Sequence, residues 1–144
     1  CAYSDNYYLD DGAFLAVQIV IAAARLKQQG KTINALLEGL GAPAESKEVR
    51  YKLTADDFVA LGTQILEDLT AWVEATEGLE LEVPNYEGVR VNFKLEGSEG
   101  WFLLRKSLHD PVMPLNLESK EAGGVEKALA MVNAFLSKYE GIEA

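Results

Sequence analysis

Residues 105–111, with the sequence RKSLHDP, lie between two apolar runs and combine several groups that bind anions. The guanidinium of Arg105 can donate two hydrogen bonds to one phosphate, and the hydroxyl of Ser107 can donate a third. A protonated His109, the only histidine of the chain, donates from either ring nitrogen. Guanidinium, hydroxyl and backbone N–H donors that converge in one turn are typical of a site for a phosphate monoester. The spacing therefore indicates an anion-binding loop.

The order of these residues also predicts where each group points. Arg105 and Ser107 are two positions apart, so an extended backbone turns both to one side and Lys106 to the other. Lys106 then adds positive potential rather than a direct contact. Pro111 has no N–H, so the run of backbone donors ends at Asp110.

An ordinary turn explains the same residues. Arginines are common where surface strands end, a single histidine in a turn is usually solvated, and Asp-Pro often begins a turn. Composition and spacing alone leave both the anion-binding loop and the plain connection open.

The rest of the chain carries no complete active site. The histidine has no serine or cysteine with a third orienting group, as nucleophilic catalysis requires. Cys1, the only cysteine, cannot form an internal disulfide and lacks the Cys/His spacing of a zinc site. We therefore expect no metal site in this chain and a reducing cytoplasm as its compartment.

Charge and hydropathy exclude two classes of partner. Thirteen Lys and Arg against 23 Asp and Glu give a formal net charge of −10, which repels nucleic acid and anionic membrane surfaces. The most apolar segment, residues 13–24, has 12 residues, whereas a membrane-spanning helix needs about 20. We expect neither nucleic acid nor membrane as a partner, so any anion site must be local.

The first part of the chain predicts two helices. Asp10 and Asp11 provide N-cap groups for a helix over residues 13–29, which is apolar nearly all round and therefore needs neighbours on both sides. A second, short helix is capped by Thr32. Residues 41–46, GAPAES, have the composition of a linker.

The second part of the chain has the pattern of an α+β domain. Val49, Tyr51 and Leu53 alternate with charged residues in a strand, and Thr54 caps the long helix that follows, with Asp57 in the capping-box position. The later signals are a strand over 79–83 with an extension through 95, a turn at 97–99, strands at 101–104 and 113–117, and a helix over 125–139. This order predicts an antiparallel four-stranded sheet with helices packed on one face, preceded by N-terminal helices.

Three segments of the second part occur in the order GVRVNF, GWFLLRKSLHDPV and LNLES. Their order and spacing resemble the C-terminal domain of the α-D-phosphohexomutases, the phosphomannomutase and phosphoglucomutase superfamily. In that family a glycine-valine strand leads to an aromatic residue and then to a phosphate-binding loop of the form R-x-S-x-T-E-P. The corresponding residues here are Gly88 and Val89, Trp101, and Arg105 with Ser107 and Pro111.

The N-terminal part resembles the same family independently. YYLDDGAFLAVQIVIAA, residues 7–23, is similar to the Asp-Gly segment that opens the last helix of the family's third domain. The resemblance implies that residues 1–40 are the tail of the third domain, 41–46 a linker, and 47–144 the fourth domain, which has a TATA-binding-protein-like scaffold. The chain would then begin downstream of the family's sugar-selecting G-E-M-S-G-H loop.

The resemblance implies an activity for a longer protein and a narrower role for this chain. The family's enzymes are magnesium-dependent and move a phosphoryl group between the 1- and 6-positions of a hexose, through a phosphoserine and a bisphosphorylated intermediate. The phosphoserine loop (T-A-S-H-N type) and the metal loop D-x-D-x-D do not occur in these 144 residues. The chain alone should therefore be inactive and bind no magnesium. It would hold the non-reacting phosphate of a hexose 1-phosphate or 6-phosphate, beside the preceding domains of the same protein, through Arg105, Ser107 and His109 with Lys106 in support.

Departures from the family pattern stand inside this region. His109 replaces the family's threonine and Leu108 the usual glycine or asparagine, so an imidazole takes the place of a hydroxyl. Pro114 stands where bacterial phosphomannomutases often carry an arginine, and its missing N–H favours an edge strand. An atypical member, or a noncatalytic protein-interaction module on the same scaffold, is therefore the alternative interpretation.

Overall fold

The computed structural model describes residues 3–107 and 109–143. The expectation drawn from Cys1 and the departure at Leu108 lie outside the described residues. The chain divides into two compact units, Cys1–Gly41 and Ala42–Ala144.

The first unit is built around one long helix, α1 (Gly12–Gln28). Asp11 is its N-cap: one carboxylate oxygen accepts from the backbone N–H of Ala13 at 2.9 Å and of Phe14 at 3.0 Å. The hydrogen bond from Phe14 is the main reason that the pKa of this carboxyl lies below its ordinary value. The predicted helix is therefore present, with Asp11 rather than Asp10 as its cap.

The second predicted helix of this unit is wrong in type. Ile33–Leu37 forms a short 3₁₀ segment, and the Thr32 side chain makes no capping hydrogen bond. A run of only five residues gives an α-helix little chance to form its own hydrogen bonds, so the tighter turn is adopted. No described residue of this unit is buried, and several large apolar side chains of the unit are exposed: Tyr7, Tyr8, Val17, Val20, Leu36, Leu37 and Leu40.

The second unit contains one antiparallel sheet of six strands. The strands are β1 (Glu45–Leu53), β2 (Leu79–Leu81), β3 (Val89–Leu95), β4 (Ser98–Leu104), β5 (Val112–Ser119) and β6 (Ile142–Glu143), in the spatial order β2-β3-β4-β5-β1-β6. The α+β class with an antiparallel sheet is confirmed, whereas the strand number of four is wrong. The strand predicted over 79–83 with an extension through 95 is in fact two strands, β2 and β3, because the chain turns back between them and pairs them antiparallel. The other additional strand, β6, has two residues, too few for an alternating pattern to show in the sequence.

Two helices complete this unit, α2 (Phe58–Glu74) and α3 (Gly124–Leu136). Asp57, not Thr54, is the N-cap of α2, and its carboxylate accepts from Ala60 N–H at 2.9 Å. The prediction of Thr54 as the cap was wrong: Thr54 N–H donates to Gly141 O, and the helix begins three residues later than predicted. Within the described residues, no helix of the chain is both long and apolar enough to cross a membrane.

Two boundaries differ from the sequence-based expectation. The linker over 41–46 is too long, because Glu45 and Ser46 already pair with Ser119 and Glu118 in the sheet. The turn expected at 97–99 lies at residues 96–97 instead, and Ser98 is buried at the start of β4. The sequence did not indicate these two strand ends because their residues are polar. Strand pairing satisfies the backbone N–H and C=O groups whatever the side chain is.

The hydrophobic core lies between α2, α3 and one face of the sheet. Alternate strand residues point into it, and Val91, Phe102, Leu104 and Leu115 are fully or almost fully buried. We call the opposite side of the sheet the outer face. By the strand register it carries Glu48, Arg50 and Lys52 of β1, Arg90, Asn92 and Lys94 of β3, Trp101 and Leu103 of β4, and Pro114, Asn116 and Glu118 of β5.

Candidate functional site

The predicted loop is the connection between β4 and β5. The ladder between these strands ends at the pair Leu104 and Leu115. Beyond it, Arg105 N–H still donates to Pro114 O at 3.1 Å, and Ser107 N–H donates to Val112 O at 3.0 Å. The two sides of the loop are therefore tied together as an extension of the sheet, and Arg105 projects on the outer face.

Pro114 lies in a central strand, so the expectation of an edge strand was wrong. β5 has β4 on one side and β1 on the other. Arg105 lies opposite Pro114, and its N–H donates to the Pro114 carbonyl, whereas the reciprocal hydrogen bond to Arg105 O is absent because proline has no N–H. The proline thus removes one hydrogen bond at the end of the β4–β5 ladder, where the loss does not interrupt the sheet.

Ser107 organises the tip of the loop. Its Oγ accepts long hydrogen bonds from the backbone N–H groups of His109, at 3.5 Å, and Asp110, at 3.3 Å. Two backbone donors thus converge on one oxygen atom, as they would on an oxygen of a bound phosphate. Val112 N–H donates to Asp110 O at 2.7 Å and holds the far side of the turn.

Arg105 is half-buried at the base of the loop, and its guanidinium has no hydrogen bond or ion pair with the described part of the chain. It nevertheless acts on Glu48 of the adjacent outer face. The pKa of Glu48 lies below its ordinary value, mainly through the hydrogen bond from Arg50, then that from Asn116, and with a smaller electrostatic contribution from Arg105. Arg105 is thus a cation with its donors still available, next to a carboxylate that other groups already hold.

Lys106 lies apart from this arrangement. Its Nζ donates to Thr63 Oγ1 of α2 at 2.7 Å, and its methylene stem packs so closely against Gly62 that a Cβ there would lie 2.9 Å from Lys106 Cδ. Alternation along the strand predicts this direction, and it leaves Lys106 to act only through its charge.

His109 lies exposed at the loop tip. Its ring makes no hydrogen bond with the residues that the structure describes, and only its backbone N–H is engaged, through Ser107. The imidazole is therefore exposed to solvent.

Strand alternation places Arg105 and Ser107 on the side of the loop opposite Lys106, whereas His109 is exposed at the tip. Sequence reasoning missed their neighbours on the outer face, Glu48, Arg50 and Arg90. The β1–β5 pairing joins residues more than 60 positions apart, as Glu48 and Asn116 show. No local pattern carries that register, so only the folded sheet reveals which charges surround the loop.

Two further features of the described chain bear on metal or phosphate binding elsewhere. No group of three or more His, Cys, Asp or Glu side chains within residues 3–107 and 109–143 is placed to hold a metal ion. A shallow cleft at the β3–β4 hairpin is lined by Glu96, Glu99 and Glu121 with Lys94, and this acidic lining repels a phosphate.

Comparisons with known proteins give one informative result. No protein-family model and no curated protein matches the chain. Among solved structures, the chain is similar to the crystal structure of a phosphoglucomutase/phosphomannomutase family protein from Burkholderia thailandensis, with a TM-score of 0.62 and 23% sequence identity. The similarity covers 91% of this chain and 24% of that protein's chain, so this chain spans about a quarter of its length. At this identity the similarity establishes a shared fold over that region.

Proposed function

We propose that this chain is the C-terminal part of a phosphohexomutase and that residues 105–111 bind the phosphate of its hexose phosphate substrate. The observation that carries the proposal is the arrangement of the β4–β5 connection: the N–H groups of His109 and Asp110 converge on Ser107 Oγ, and the half-buried Arg105 lies at the base of the same loop.

Two similarities support this reading. The motif resemblance places a phosphate-binding loop of the R-x-S type at residues 105–111, and the fold similarity is to part of a phosphoglucomutase/phosphomannomutase family protein. The motif elements also fall on matching structural elements, since GVRVNF contributes β3 and LNLES ends β5.

The proposed role of this loop is to bind the substrate phosphate that does not react. Fixing that phosphate orients the sugar and uses binding energy from a remote group to position the reacting one. Because phosphate oxygens are alike at either end of the sugar, a grip that contacts mainly these oxygens would serve a hexose 1-phosphate and a 6-phosphate.

Catalysis itself would belong to the preceding domains of the same protein. The phosphoserine and magnesium loops that the resemblance implies do not occur in this sequence, so magnesium would be bound outside this chain. We expect the chain alone to bind phosphosugar without turning it over. The cytoplasm is the compartment we propose, since the single cysteine makes no internal disulfide.

Nuclear magnetic resonance tests this function on the chain as it stands. The ¹⁵N-labelled chain is titrated with mannose 1-phosphate, with mannose at equal concentrations as the control. One phosphate held by a few charge-assisted hydrogen bonds gives a Kd of about 1 mM. We expect shifts confined to the backbone resonances of 105–111 and their strand neighbours with the phosphosugar, and none there with mannose. Absence of these shifts at a mannose 1-phosphate concentration of about ten times that Kd would contradict the proposal.

A further inference from the structure

Strand β1 brings a lysine to the same row of the outer face as the phosphate loop. Ser107 N–H donates to Val112 O, so these two residues lie opposite each other, and Val112 pairs with Lys52 on its other side. Residues that lie opposite each other in neighbouring strands point to the same face of a sheet. Ser107, Val112 and Lys52 therefore form one row across three strands, although Lys52 and Ser107 are far apart in the sequence.

Strand β5 separates this lysine from the loop without placing a charged side chain between them. At the two rows nearest the loop, β5 contributes only Val112 and Pro114 to the outer face. Because neighbouring strands lie about 5 Å apart, the backbones of Lys52 and Ser107 are about 10 Å apart across β5. Val112 also offers an apolar surface to the methylene stem of the lysine. A phosphate at Ser107 and the long side chain of Lys52 together span this distance.

The ammonium group of Lys52 is not engaged by the described part of the chain. Its Nζ has no hydrogen bond or ion pair with residues 3–107 or 109–143, although the formal net charge is −10. Even Glu143, its direct partner on β6, forms no ion pair with it. The neighbouring cation on the same face of β1 differs, because Arg50 Nε donates to Glu48 at 2.6 Å. Lys52 thus keeps its donors for an anion.

We propose that Lys52 is a phosphate-binding residue of the site at residues 105–111, contributed by β1 rather than by the loop. This inference deepens the proposed function and rests on it. A phosphate at Ser107 is held between the loop on one side and the Lys52 ammonium on the other. The sequence places Lys106 in the loop, but Thr63 engages that ammonium on the opposite side of the sheet. Because an ammonium binds phosphate as a point charge, Lys52 strengthens phosphate binding without selecting a sugar.

The test measures the Kd of the full chain for inorganic phosphate by NMR titration, in the unaltered protein, in Lys52→Met and in Lys94→Met. Both substitutions remove one positive charge from the outer face, but Lys94 pairs with Glu99 at the end of β3 that lies away from the loop. We expect Lys52→Met to weaken phosphate binding about fivefold and Lys94→Met to weaken it less than about twofold.

A conservative variant and a second readout separate direct contact from an effect on folding. Lys52→Arg keeps a positive charge and its donors, so its Kd for inorganic phosphate should stay within about twofold of the unaltered value. The ¹³Cε resonance of Lys52 should shift with inorganic phosphate, whereas that of Lys106, engaged by Thr63, should stay in place.

The two proposals fail in different ways. If the unaltered chain does not bind inorganic phosphate at residues 105–111, the proposed function is wrong and the role of Lys52 is wrong with it. If phosphate binds there but Lys52→Met weakens binding no more than Lys94→Met, or the Lys52 resonance does not shift, the role of Lys52 alone is overturned.

Discussion

At the scale of single residues, the loop derives its chemistry from groups that the rest of the chain leaves available. Ser107 gathers two backbone N–H groups, and Arg105 adds a guanidinium with no internal hydrogen bond among the described residues. Lys106, adjacent in sequence, is engaged by Thr63 on α2 instead. Successive residues of a strand point to opposite sides of the sheet, so these two neighbouring cations have different roles.

Ser107→Ala removes the acceptor on which the loop donors converge. The N–H groups of His109 and Asp110 then lose their only side-chain partner in the described chain. We expect faster amide hydrogen exchange at 109 and 110 and phosphate binding weaker by about tenfold, since a hydroxyl donor is also lost. Unchanged exchange at both amides would mean that Ser107 does not order the tip.

At the scale of elements, Gly88 controls how closely β3 approaches the end of β4. Both Gly88 and Gly97 have positive φ, +81° and +69°. A Cβ at Gly88 would collide with the Leu104 carbonyl oxygen and lie 2.7 Å from Arg105 Cα, whereas a Cβ at Gly97 meets nothing within 4 Å.

These two glycines form a matched pair for substitution. Gly97→Ala should cost only the backbone strain of a left-handed alanine, about 1–2 kcal/mol in the free energy of unfolding. Gly88→Ala should cost at least about 1 kcal/mol more, because backbone must move as well. It should also weaken phosphate binding by displacing Arg105. Denaturant unfolding and phosphate titration of both variants measure these effects. Equal losses of stability and of phosphate affinity in the two variants would show that Gly88 does not position Arg105.

The packing of β1 against α3 predicts a decline in stability at high pH. Burial raises the pKa of the Tyr51 phenol from 10.0 to about 12, and its hydroxyl donates to Asn133 of α3. The folded chain therefore retains this proton more strongly than the unfolded chain. The resulting stability is fully present below about pH 10 and is lost as the pH rises towards about 12.

Tyr51→Phe isolates this contribution. The variant should lose about 1 kcal/mol at neutral pH, because a hydrogen bond is removed, and its stability should fall less steeply between pH 10 and 12 than that of the unaltered chain. Some decline will persist, since burial and Asp68 also raise the pKa of Tyr139. Parallel curves of unfolding free energy against pH would contradict the assignment to Tyr51.

At the scale of the whole molecule, the two units differ in how they are stabilised. All buried side chains among the described residues belong to the second unit, and none belongs to the first. A chain of residues 42–144 should therefore unfold in one cooperative transition and bind phosphate within about twofold of the full chain. Circular dichroism and the NMR titration measure both. A 42–144 chain without cooperative unfolding would show that the first unit is needed for the core.

The sequence predicted what depends on local periodicity. The folded chain has the predicted alternation of Tyr51 and Leu53 and the predicted apolar stripe of α2, with Ile65 and Leu69 buried. Arg105 and Ser107 also both lie in the extended start of the loop, as their spacing predicted. Features set by distant pairing were not predictable, because they depend on which strands become neighbours. The central position of β5 with Pro114, the short strand β6, and the stacking of Arg90 on Trp101 belong to that class.

Replacement of adjacent cations tests the central claim most directly. The Kd for inorganic phosphate is measured by NMR for the unaltered chain, for Arg105→Met and for Lys106→Met. Loss of charge-assisted hydrogen bonds should weaken binding at least about tenfold in Arg105→Met, whereas loss of general positive potential in Lys106→Met should weaken it less than about twofold. Equal losses in the two variants, or no loss in Arg105→Met, would contradict a phosphate grip on the outer side of this loop.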